Sequence, residues 1–191
     1  VLTHEIMNAA TPISSISQAY LADPNIKGTP YEEGIQAIQK TSESLSNFVR
    51  NFRTITLVQE PDMRKVNLAG LCRSLRSLYP DLTWHTDIAP DTCIRADESM
   101  MMQVLSNLTK NAVEAGATDM DIRWNKALYV SNNGAPIPAE VRGEMFVPFF
   151  TTKEEGSGIG LSLSKQIMRL QGGSIALLPY KDEWTTFVVV L

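Results

Sequence analysis

A glycine-rich segment, GSGIGL at residues 156–161, has the composition of a loop that could hold phosphate groups. It follows a polar stretch and leads directly into a helix pattern. Glycines let backbone N–H groups approach a phosphate closely, and the N-terminus of the following helix adds a favourable dipole. Glycine-rich turns before helices are common, so the segment alone also fits an ordinary turn. It is neither a Rossmann fingerprint, because no strand leads into it, nor a Walker A loop, because Gly-Lys-Ser/Thr is absent.

A second group of polar residues, Asn107, Lys110 and Asn111, follows helical spacing. The two asparagines are four positions apart, so their amides share one face of a helix. Asparagine oxygens are suitable ligands for Mg²⁺, and a lysine supplies a point charge for a phosphate. The alternative is that both asparagines only cap or solvate the helix.

A third group lies in VSNNGAPIP at residues 130–138, where a strand pattern runs into a turn of glycine and proline. The amide of Asn132 or Asn133 could present a hydrogen-bonding edge to a nucleobase. The same residues are also typical turn formers. The segment alone does not decide between the two interpretations.

The stretch LTHEIMNAATPISSI at residues 2–16 holds one of the two histidines of the chain. An ordinary imidazole has a pKa of about 6.5, so His4 is mostly neutral near pH 7 and keeps a ring nitrogen available as a nucleophile. Asn8 lies one helical turn later over the same face. Adjacent Glu5 points about 100° away and must bend toward the ring. By itself, His4 equally fits a solvated position on an amphipathic helix.

Composition restricts the class of protein further. The 191 residues are 43% apolar and carry a net charge of −4 without a long run of one sign, which argues against general nucleic-acid binding. Cys72 and Cys93 match no paired metal motif, and both are expected to be small buried residues. No apolar run reaches the roughly 18 residues of a membrane span, and no segment is predicted to be a signal peptide. Because the chain starts with Val1 inside a helix pattern, we expect a piece of a longer protein.

Two long helices are predicted in the first part of the chain. Apolar residues recur at three- and four-residue steps over 1–22 and over 31–58, with a loop of proline, glycine and asparagine at 22–30. Such a hairpin cannot bury both apolar stripes by itself. Dimerisation into a four-helix bundle is therefore expected, and burial against the rest of the same chain is the alternative. Residues 59–67 break the helical pattern and are predicted to be a linker.

Helices and strands then follow in mixed order, which predicts an α/β sandwich with helices on one face of a mixed sheet. The predicted helices cover residues 68–79, 97–116, 138–146 and 159–171, with Asp97 as an N-cap. The predicted strands cover residues 82–88, 92–96, 120–125, 127–132, 174–180 and 184–191, with a tight turn at Lys126. His85 falls in one of these strands and is predicted to be a surface residue.

The order of these motifs resembles the ATP-binding domain of sensor histidine kinases, within the Bergerat-fold ATPases. NLTKNAVEAG is similar to the family's N-box, SNNGAPIP to its first glycine box, FVPFFTTK to its F-box and lid, and GSGIGLSLSKQIMRLQGGSI to its second glycine box. With HEIMNAATPI at the start, the resemblance covers essentially the whole chain. Asparagine at position 8, followed by Thr11 and Pro12, resembles the nitrogen-regulation-like subgroup. The resemblance implies an α+β fold: a helical hairpin for dimerisation and histidine phosphotransfer at 1–60, half of a dimeric four-helix bundle, and a Bergerat-type ATP-binding domain at 61–191.

The resemblance also implies roles for individual residues. His4 would accept the γ-phosphoryl group of ATP, Glu5 would fix its tautomer, and Asn8 would orient the water that dephosphorylates a partner receiver. Asn111 would hold Mg²⁺, and Asn132 would face the adenine. The other positions implied by the family's motifs are Asn107 and Lys110 beside the phosphates, Gly134 under the adenine, Phe146, Phe149 and Phe150 anchoring the lid, Thr152 and Lys153 within it, and Gly156, Ser157, Gly158, Ile159, Gly160 and Leu161 in the phosphate loop.

From this resemblance we expect ATP-dependent autophosphorylation on His4 and transfer to the aspartate of a response-regulator receiver domain, together with phosphatase activity toward that regulator. The expected partners are this receiver and a second copy bound through the hairpin, with no nucleic acid and no membrane contact by these residues. The expected location is cytoplasmic, with the full-length protein anchored in a bacterial inner membrane by upstream segments.

Departures from the family pattern favour a second hypothesis. Asn132 replaces the usual aspartate, and Pro136 replaces the second glycine of the first glycine box. An uncharged acceptor binds the adenine amine without charge assistance. Glu154 and Glu155 also place two acids beside the phosphate loop, which is tolerable only if they point to solvent. The alternative is a phosphatase-dominant or non-catalytic dimeric module that binds ATP weakly. A chaperone- or repair-type Bergerat ATPase shares the nucleotide motifs but lacks the hairpin with HEIMN.

Overall fold

The computed structural model describes residues 2–56, 59–153 and 156–191, apart from the side chains at positions 2, 4, 51 and 54–56. The chain divides into two compact units, Val1–Leu57 and Val58–Leu191. The first is a pair of helices and the second mixes helices with strands, so the predicted hairpin followed by an α/β sandwich is confirmed. The roles that the resemblance assigns to these parts of the chain remain predictions.

The first unit consists of α1 (Leu2–Leu21) and α2 (Glu32–Thr56), which run antiparallel. The Ser42 hydroxyl donates to the carbonyl oxygen of Ala10 (2.7 Å), and the Gln39 amide donates to the Ser14 hydroxyl (3.2 Å). These two bonds fix how far one helix is shifted along the other. The buried residues of the contact are mostly small: Ala10, Ser17, Ser42, Ser46 and Val49.

Eight large apolar side chains of the hairpin are exposed. Each keeps at least 41% of its surface accessible, and the set comprises Ile13, Ile16, Tyr20, Tyr31, Ile38, Leu45, Phe48 and Phe52. Near the connecting loop, several of them line an apolar groove of about 620 Å³. The hairpin therefore does not bury its own apolar stripes. None of the helices in the described ranges combines the length and apolar character needed to cross a membrane.

The second unit begins with β1 (Arg64–Asn67) and continues directly into α3 (Leu68–Leu78). Asn67 ends the strand and caps the helix, because its side-chain oxygen accepts a hydrogen bond from the Gly70 N–H (2.6 Å). The remaining elements, in chain order, are β2 (Thr83–Asp87), β3 (Cys93–Ala96), α4 (Glu98–Glu114), β4 (Asp119–Trp124), β5 (Leu128–Asn132), a 3₁₀ turn (Ala139–Val141), α5 (Gly160–Leu170), β6 (Ser174–Leu177) and β7 (Thr185–Val190).

Five strands form one mixed sheet in the order β2–β4–β5–β7–β6, in which only β2 and β4 are parallel. The tight turn predicted between β4 and β5 is present, with Lys126 at a φ of 59°. Strands β1 and β3 pair separately as an antiparallel ribbon. In the large sheet, Asn132 of β5 lies opposite Thr185 of β7, so these two side chains project from the same face.

One face of the five-stranded sheet packs against the helices. Ile122, Val130 and Phe187 lie side by side on this face and are buried. The helices contribute buried apolar side chains to the same core: Leu71, Leu75, Met101, Val104, Leu105, Leu108, Leu163, Ile167 and Met168. Burying a large aliphatic side chain contributes about 1.5–3 kcal/mol, so this layer holds the unit together. Asn132, at the end of β5, and Thr185, at the start of β7, lie on this same face and are also buried.

Two predictions near β1 and β3 are wrong. The linker predicted at 59–67 ends in a strand, since Arg64–Asn67 pairs along its length with Cys93–Ala96. Four residues are too few to show an alternating pattern, and the strand exists only through this distant partner. Cys93 is exposed rather than buried, because β3 alternates and turns Ile94 and Ala96 inward instead. Cys72 is buried, as predicted.

Two further predictions overestimate the length of an element. The helix predicted at 138–146 is reduced to the 3₁₀ turn Ala139–Val141, followed by irregular turns. Short helices need a buried face, and in this segment only Met145 is buried. The strand predicted at 174–180 ends at Leu177. Pro179 lacks an N–H group and cannot extend the ladder.

Candidate functional site

Helix α4 carries Asn107, Lys110 and Asn111, and its N-terminus is capped by Asp97. The Asp97 carboxylate accepts hydrogen bonds from the Met100 N–H (3.0 Å), the Ser99 hydroxyl (2.7 Å) and the Asp62 N–H (2.9 Å). Burial alone would raise the pKa of Asp97, but these bonds to the charged form outweigh it and lower the pKa. The predicted N-cap is therefore confirmed.

Asn107 connects α4 to the start of α5. Its side-chain NH₂ donates to the carbonyl oxygen of Gly160 (3.0 Å) and to the Ser164 hydroxyl (3.1 Å). The asparagine of the N-box-like segment and the end of the glycine-rich loop are thus in direct contact, 53 residues apart in the chain. Asn111, one turn further along α4, is half-buried, and its amide makes no hydrogen bond within the described part of the chain.

The glycine-rich loop lies against the preceding aromatic segment. Gly158 has a φ of 65°, and its carbonyl oxygen accepts a hydrogen bond from the Phe149 N–H (2.9 Å). A Cβ at position 158 would stand 2.4 Å from the Phe149 carbonyl carbon, so only glycine fits. Phe149 itself adopts a φ of 67°, which is unusual for an aromatic residue. After Ile159, which is buried, helix α5 begins at Gly160.

Asn132 and Gly134 lie at the end of β5, where the chain leaves the sheet. The Asn132 side-chain oxygen accepts from the Gly134 N–H (3.1 Å), and its NH₂ group donates to the carbonyl oxygen of Thr185 (3.4 Å). A Cβ on Gly134 would lie 3.0 Å from the carbonyl oxygen of Ala115 at the end of α4. Because Gly134 has no side chain, the segment that follows β5 can lie close to the C-terminal end of α4.

Asn133 takes no part in this group. It is exposed, and its side-chain oxygen accepts hydrogen bonds from the N–H groups of Thr118 and Asp119 (both 2.9 Å). Its NH₂ group donates to the Asp119 carboxylate (2.9 Å). Of the two asparagines that the sequence leaves open, Asn132 lies on the helix-covered face and Asn133 outside it.

Sequence reasoning missed Thr185. Its side chain is only 4% exposed, and its hydroxyl has no hydrogen-bond partner among the described residues. An unpaired buried hydroxyl is costly, so its survival beside the Asn132 amide marks it as a candidate binding group. The available signal was the alternation in WTTFVVVL, which turns Thr185, Phe187 and Val189 to one face.

Two lysines of the candidate site meet the same carboxylate. Lys153, which follows the aromatic segment, forms a hydrogen-bonded ion pair with Glu114 of α4. Lys110 lies 3.8 Å from the other oxygen of Glu114. Thr152 is exposed beside Lys153. Glu154 and Glu155 lie outside the described residues.

Several remaining candidates line the same region. Gly156 and Ser157 precede Gly158 in the loop, and Leu161 is half-buried in the first turn of α5. The ammonium group of Lys165 lies 5.3 Å from the centre of the Phe146 ring. Phe150 is half-buried. Within the second unit, the structure thus brings together the N-box-like asparagines, the glycine-rich loop and the end of β5.

The candidates of the first unit form a separate group on α1. Residue 4 is helical, and Asn8 lies one turn later, so the two positions share a helix face. Glu5 and Asn8 are exposed, whereas the His4 side chain lies outside the described residues. The other histidine, His85, is exposed on β2 with its Nε2 3.3 Å from the Asp119 carboxylate, as predicted for a surface residue.

Comparison with known proteins decides the family. Residues 96–191, half of the chain, match the family described as histidine kinase-, DNA gyrase B- and HSP90-like ATPase. The chain belongs to this ATPase family. The match begins just before α4 and includes every candidate residue of the second unit, from Asn107 to Leu161.

Several of the proteins similar to this chain are named sensor histidine kinases. The nitrogen regulation protein NtrY of Azorhizobium caulinodans is 25% identical over 92% of this chain and 26% of its own length. The C4-dicarboxylate transport sensor protein DctB of Rhizobium meliloti is 43% identical over 83% of this chain and 28% of its own length. The chain therefore spans about a quarter of the length of these two relatives.

Solved structures agree with this assignment. The catalytic domain of histidine kinase ThkA is 32% identical, with a TM-score of 0.58 over 67% of this chain and 93% of its own. Histidine kinase ThkA in complex with response regulator protein TrrA is 27% identical, with a TM-score of 0.63 over 98% of this chain and 58% of its own. The resemblance to sensor histidine kinases is confirmed.

The candidate residues of the second unit include polar groups that could serve a magnesium nucleotide. The Asn111 amide and the Thr185 hydroxyl make no hydrogen bond among the described residues. Among the described residues, no three His, Cys, Asp or Glu side chains converge on one point. A divalent cation would thus depend on the Asn111 oxygen together with phosphate oxygens and water, which are the ligands that Mg²⁺ prefers.

Proposed function

We propose that the second unit binds Mg²⁺ and ATP, that His4 accepts the γ-phosphoryl group, and that a receiver-domain aspartate then takes it from His4. The observation that supports this most is the contact of Asn107 with Gly160, which brings the end of the glycine-rich loop directly against α4. Asn107 and Lys110 would lie beside the phosphates, Asn111 would hold Mg²⁺, and the glycine-rich loop would supply backbone N–H groups. Asn132 and Thr185 would face the adenine.

The transfer step follows from the chemistry of a neutral imidazole. A nitrogen of His4 attacks the γ-phosphorus, the bond from that phosphorus to the bridging oxygen breaks, and ADP leaves with the electron pair. Glu5 accepts a hydrogen bond from the other ring N–H and stabilises the positive charge that develops on the ring. Positioning and charge neutralisation carry such transfers, and Mg²⁺ supplies part of the neutralisation when bound. In the second step, a receiver carboxylate oxygen attacks the phosphorus and the N–P bond breaks.

Labelling with γ-³²P-ATP tests the kinase assignment, and the chain offers a matched control. We expect an acid-labile, base-stable label that His4→Gln abolishes and His85→Gln preserves, because His85 is exposed on β2 and paired with Asp119. A label that survives His4→Gln contradicts the assignment. Rapid release of free phosphate without a phosphoprotein would instead indicate the chaperone- or repair-type ATPase.

Asn8 is proposed to act in the reverse direction, by orienting water toward the phosphorylated receiver. It is exposed one turn after His4, on the same helix face. We expect Asn8→Ala to keep autophosphorylation and to slow dephosphorylation of the receiver. Equal loss of both activities would show that Asn8 supports the fold or the kinase step instead.

The hairpin is proposed to form a homodimer. Its exposed apolar side chains and the groove of about 620 Å³ are the surface that a second hairpin would cover in a four-helix bundle. Light scattering should give twice the mass of one chain. Ile16→Asp and Ile38→Asp, both at exposed positions, should each reduce the measured mass to that of one chain.

The alternative of a phosphatase-dominant or non-catalytic module keeps one supporting observation, which is the uncharged amide of Asn132 at the base-facing end of β5. Thermal unfolding with millimolar Mg·ADP discriminates between the two. A ligand present at a hundred times its Kd stabilises by about 2.7 kcal/mol, which gives a clear rise in Tm. No rise would favour the alternative. The expected cytoplasmic location stays a prediction.

A further inference from the structure

Three candidate residues lie along one face of α4. Asn107, Asn111 and Glu114 are spaced by four and then three positions, so their side chains follow one another along that face. At one end, Asn107 donates to Gly160 in the glycine-rich loop. At the other end, Glu114 pairs with Lys153. Asn111, the proposed magnesium ligand, lies between these two connections.

The Glu114 carboxylate engages both lysines that could serve the phosphates. One of its oxygens pairs with Lys153, 39 positions further along the chain. Its other oxygen lies 3.8 Å from the ammonium group of Lys110. A carboxylate that draws in two ammonium groups makes the same kind of contact that a phosphate would make with them.

We propose that Glu114 determines how strongly this site distinguishes nucleotides by their phosphate charge, because it competes with the phosphates for Lys153 and Lys110. The inference rests on the proposed function, since it needs a nucleotide bound beside α4. Binding of ATP transfers Lys153 from Glu114 to the phosphates. The Glu114 carboxylate then remains near the polyphosphate as a repulsive charge.

Solvent exposure sets the size of this effect. The Glu114 side chain is 36% exposed and that of Lys153 is 42% exposed, so the pair is screened by water. Exposed ion pairs of this kind correspond to about a two- to five-fold change in an equilibrium constant. A polyphosphate carries more charge than one carboxylate and displaces it. Glu114 therefore weakens ATP binding without preventing it.

The test compares Glu114→Gln with Glu98→Gln in titration calorimetry or NMR titrations with ATP, ADP and adenosine, each in the presence of Mg²⁺. Both changes remove one negative charge from α4, but Glu98 lies in its first turn, about 24 Å from Glu114 at 1.5 Å per residue. We expect Glu114→Gln to tighten ATP binding by about two- to five-fold and to leave adenosine binding unchanged. Glu98→Gln should change neither.

A double-mutant cycle tests whether the effect passes through the lysine. In a Lys153→Ala background, the gain from Glu114→Gln in ATP affinity should shrink to less than about half, because the competition has lost its main target. A gain that keeps more than about half of its size would show that Glu114 acts mainly by direct repulsion of the phosphates and not through Lys153, and would overturn the proposal. Unchanged or weaker ATP binding by Glu114→Gln overturns it as well.

The outcomes separate this proposal from the proposed function. If the unaltered chain binds ATP and labels His4 while Glu114→Gln binds ATP no more tightly, only the role of Glu114 is wrong. If the unaltered chain binds neither ATP nor adenosine, the proposed function fails and the role of Glu114 fails with it. Thermal unfolding of each variant confirms that the compared proteins are folded.

Discussion

Thr185 offers the sharpest test of the proposed adenine-binding end of the site. Its hydroxyl is buried and has no hydrogen-bond partner among the described residues, while its neighbour Thr186 projects from the other face of β7. The Thr186 hydroxyl pairs with that of Ser131 at 2.9 Å. Two adjacent threonines therefore differ in whether their hydroxyl is satisfied, and valine replaces each with almost the same shape.

The expected changes have opposite signs. An unsatisfied buried polar group costs about 1–3 kcal/mol, so Thr185→Val should raise the free energy of unfolding by about 1 kcal/mol. That corresponds to a rise in Tm of roughly 3 °C for a protein of this size. Thr186→Val removes a formed hydrogen bond and leaves Ser131 without that partner. It should lower the free energy of unfolding by about 0.5–1.5 kcal/mol.

Thr185→Val should weaken nucleotide binding although it raises the free energy of unfolding. If the Thr185 hydroxyl bonds to the adenine, Thr185→Val loses about 0.5–1.5 kcal/mol of binding free energy, or about two- to ten-fold in the Kd for ADP. Thr186→Val should leave this Kd unchanged. Thermal unfolding without nucleotide and calorimetric titration with ADP measure both effects.

Two results would refute the reasoning. A lower Tm for Thr185→Val would mean that its hydroxyl is hydrogen-bonded in the folded protein. A higher Tm with an unaltered Kd for ADP would confirm the unsatisfied hydroxyl but remove Thr185 from the binding site.

Other predictions concern the cap, the loop and the thiols. Hydrogen bonds lower the pKa of the Asp97 carboxyl in the folded protein. Its contribution to the free energy of unfolding is therefore fully present above the pKa of the unfolded chain and is lost as pH falls through the pKa of the folded protein. Asp97→Ala should flatten this loss of stability at acidic pH, measured by unfolding at a series of pH values. Gly158→Ala should destabilise the protein by about 1–2 kcal/mol or more in urea unfolding, because alanine is strained at this φ and its Cβ meets Phe149. Burial raises the pKa of Cys72 to about 11, so a thiol reagent should label only Cys93 in the folded chain, and Cys93→Ser should abolish that labelling.

Much of the fold was predictable because local signals were strong. The apolar spacing of α1 and α2 indicated both helices, and Asp97 marked the start of α4 within one residue. Strand β1 was missed because its four residues carry no alternation, and only pairing with β3 makes them a strand. The segment at 138–146 was overestimated because a helical pattern without a buried face does not sustain a helix.

The candidate site also contains residues that the sequence indicated and one residue that it did not. Asn107, Asn111 and the glycine-rich loop could be named as candidates from the sequence, because their spacing and residue types suit phosphate and magnesium; their roles stay predictions. Thr185 could not be named in this way, because an isolated threonine in a strand has no motif. It becomes a candidate only through the pairing of β7 with β5, which places it opposite Asn132.

The sequence by itself determined which chemical groups this protein has and which short segments carry them, because helix periodicity, caps and glycine turns are local properties. Only the tertiary structure decided which groups meet. Asn107 reaches Gly160 53 positions away, and Lys153 reaches Glu114 39 positions away. Neither contact follows from local spacing, since each depends on how the helices pack on the sheet. The two connections lie on either side of Asn111, beside which the nucleotide phosphates are proposed to bind.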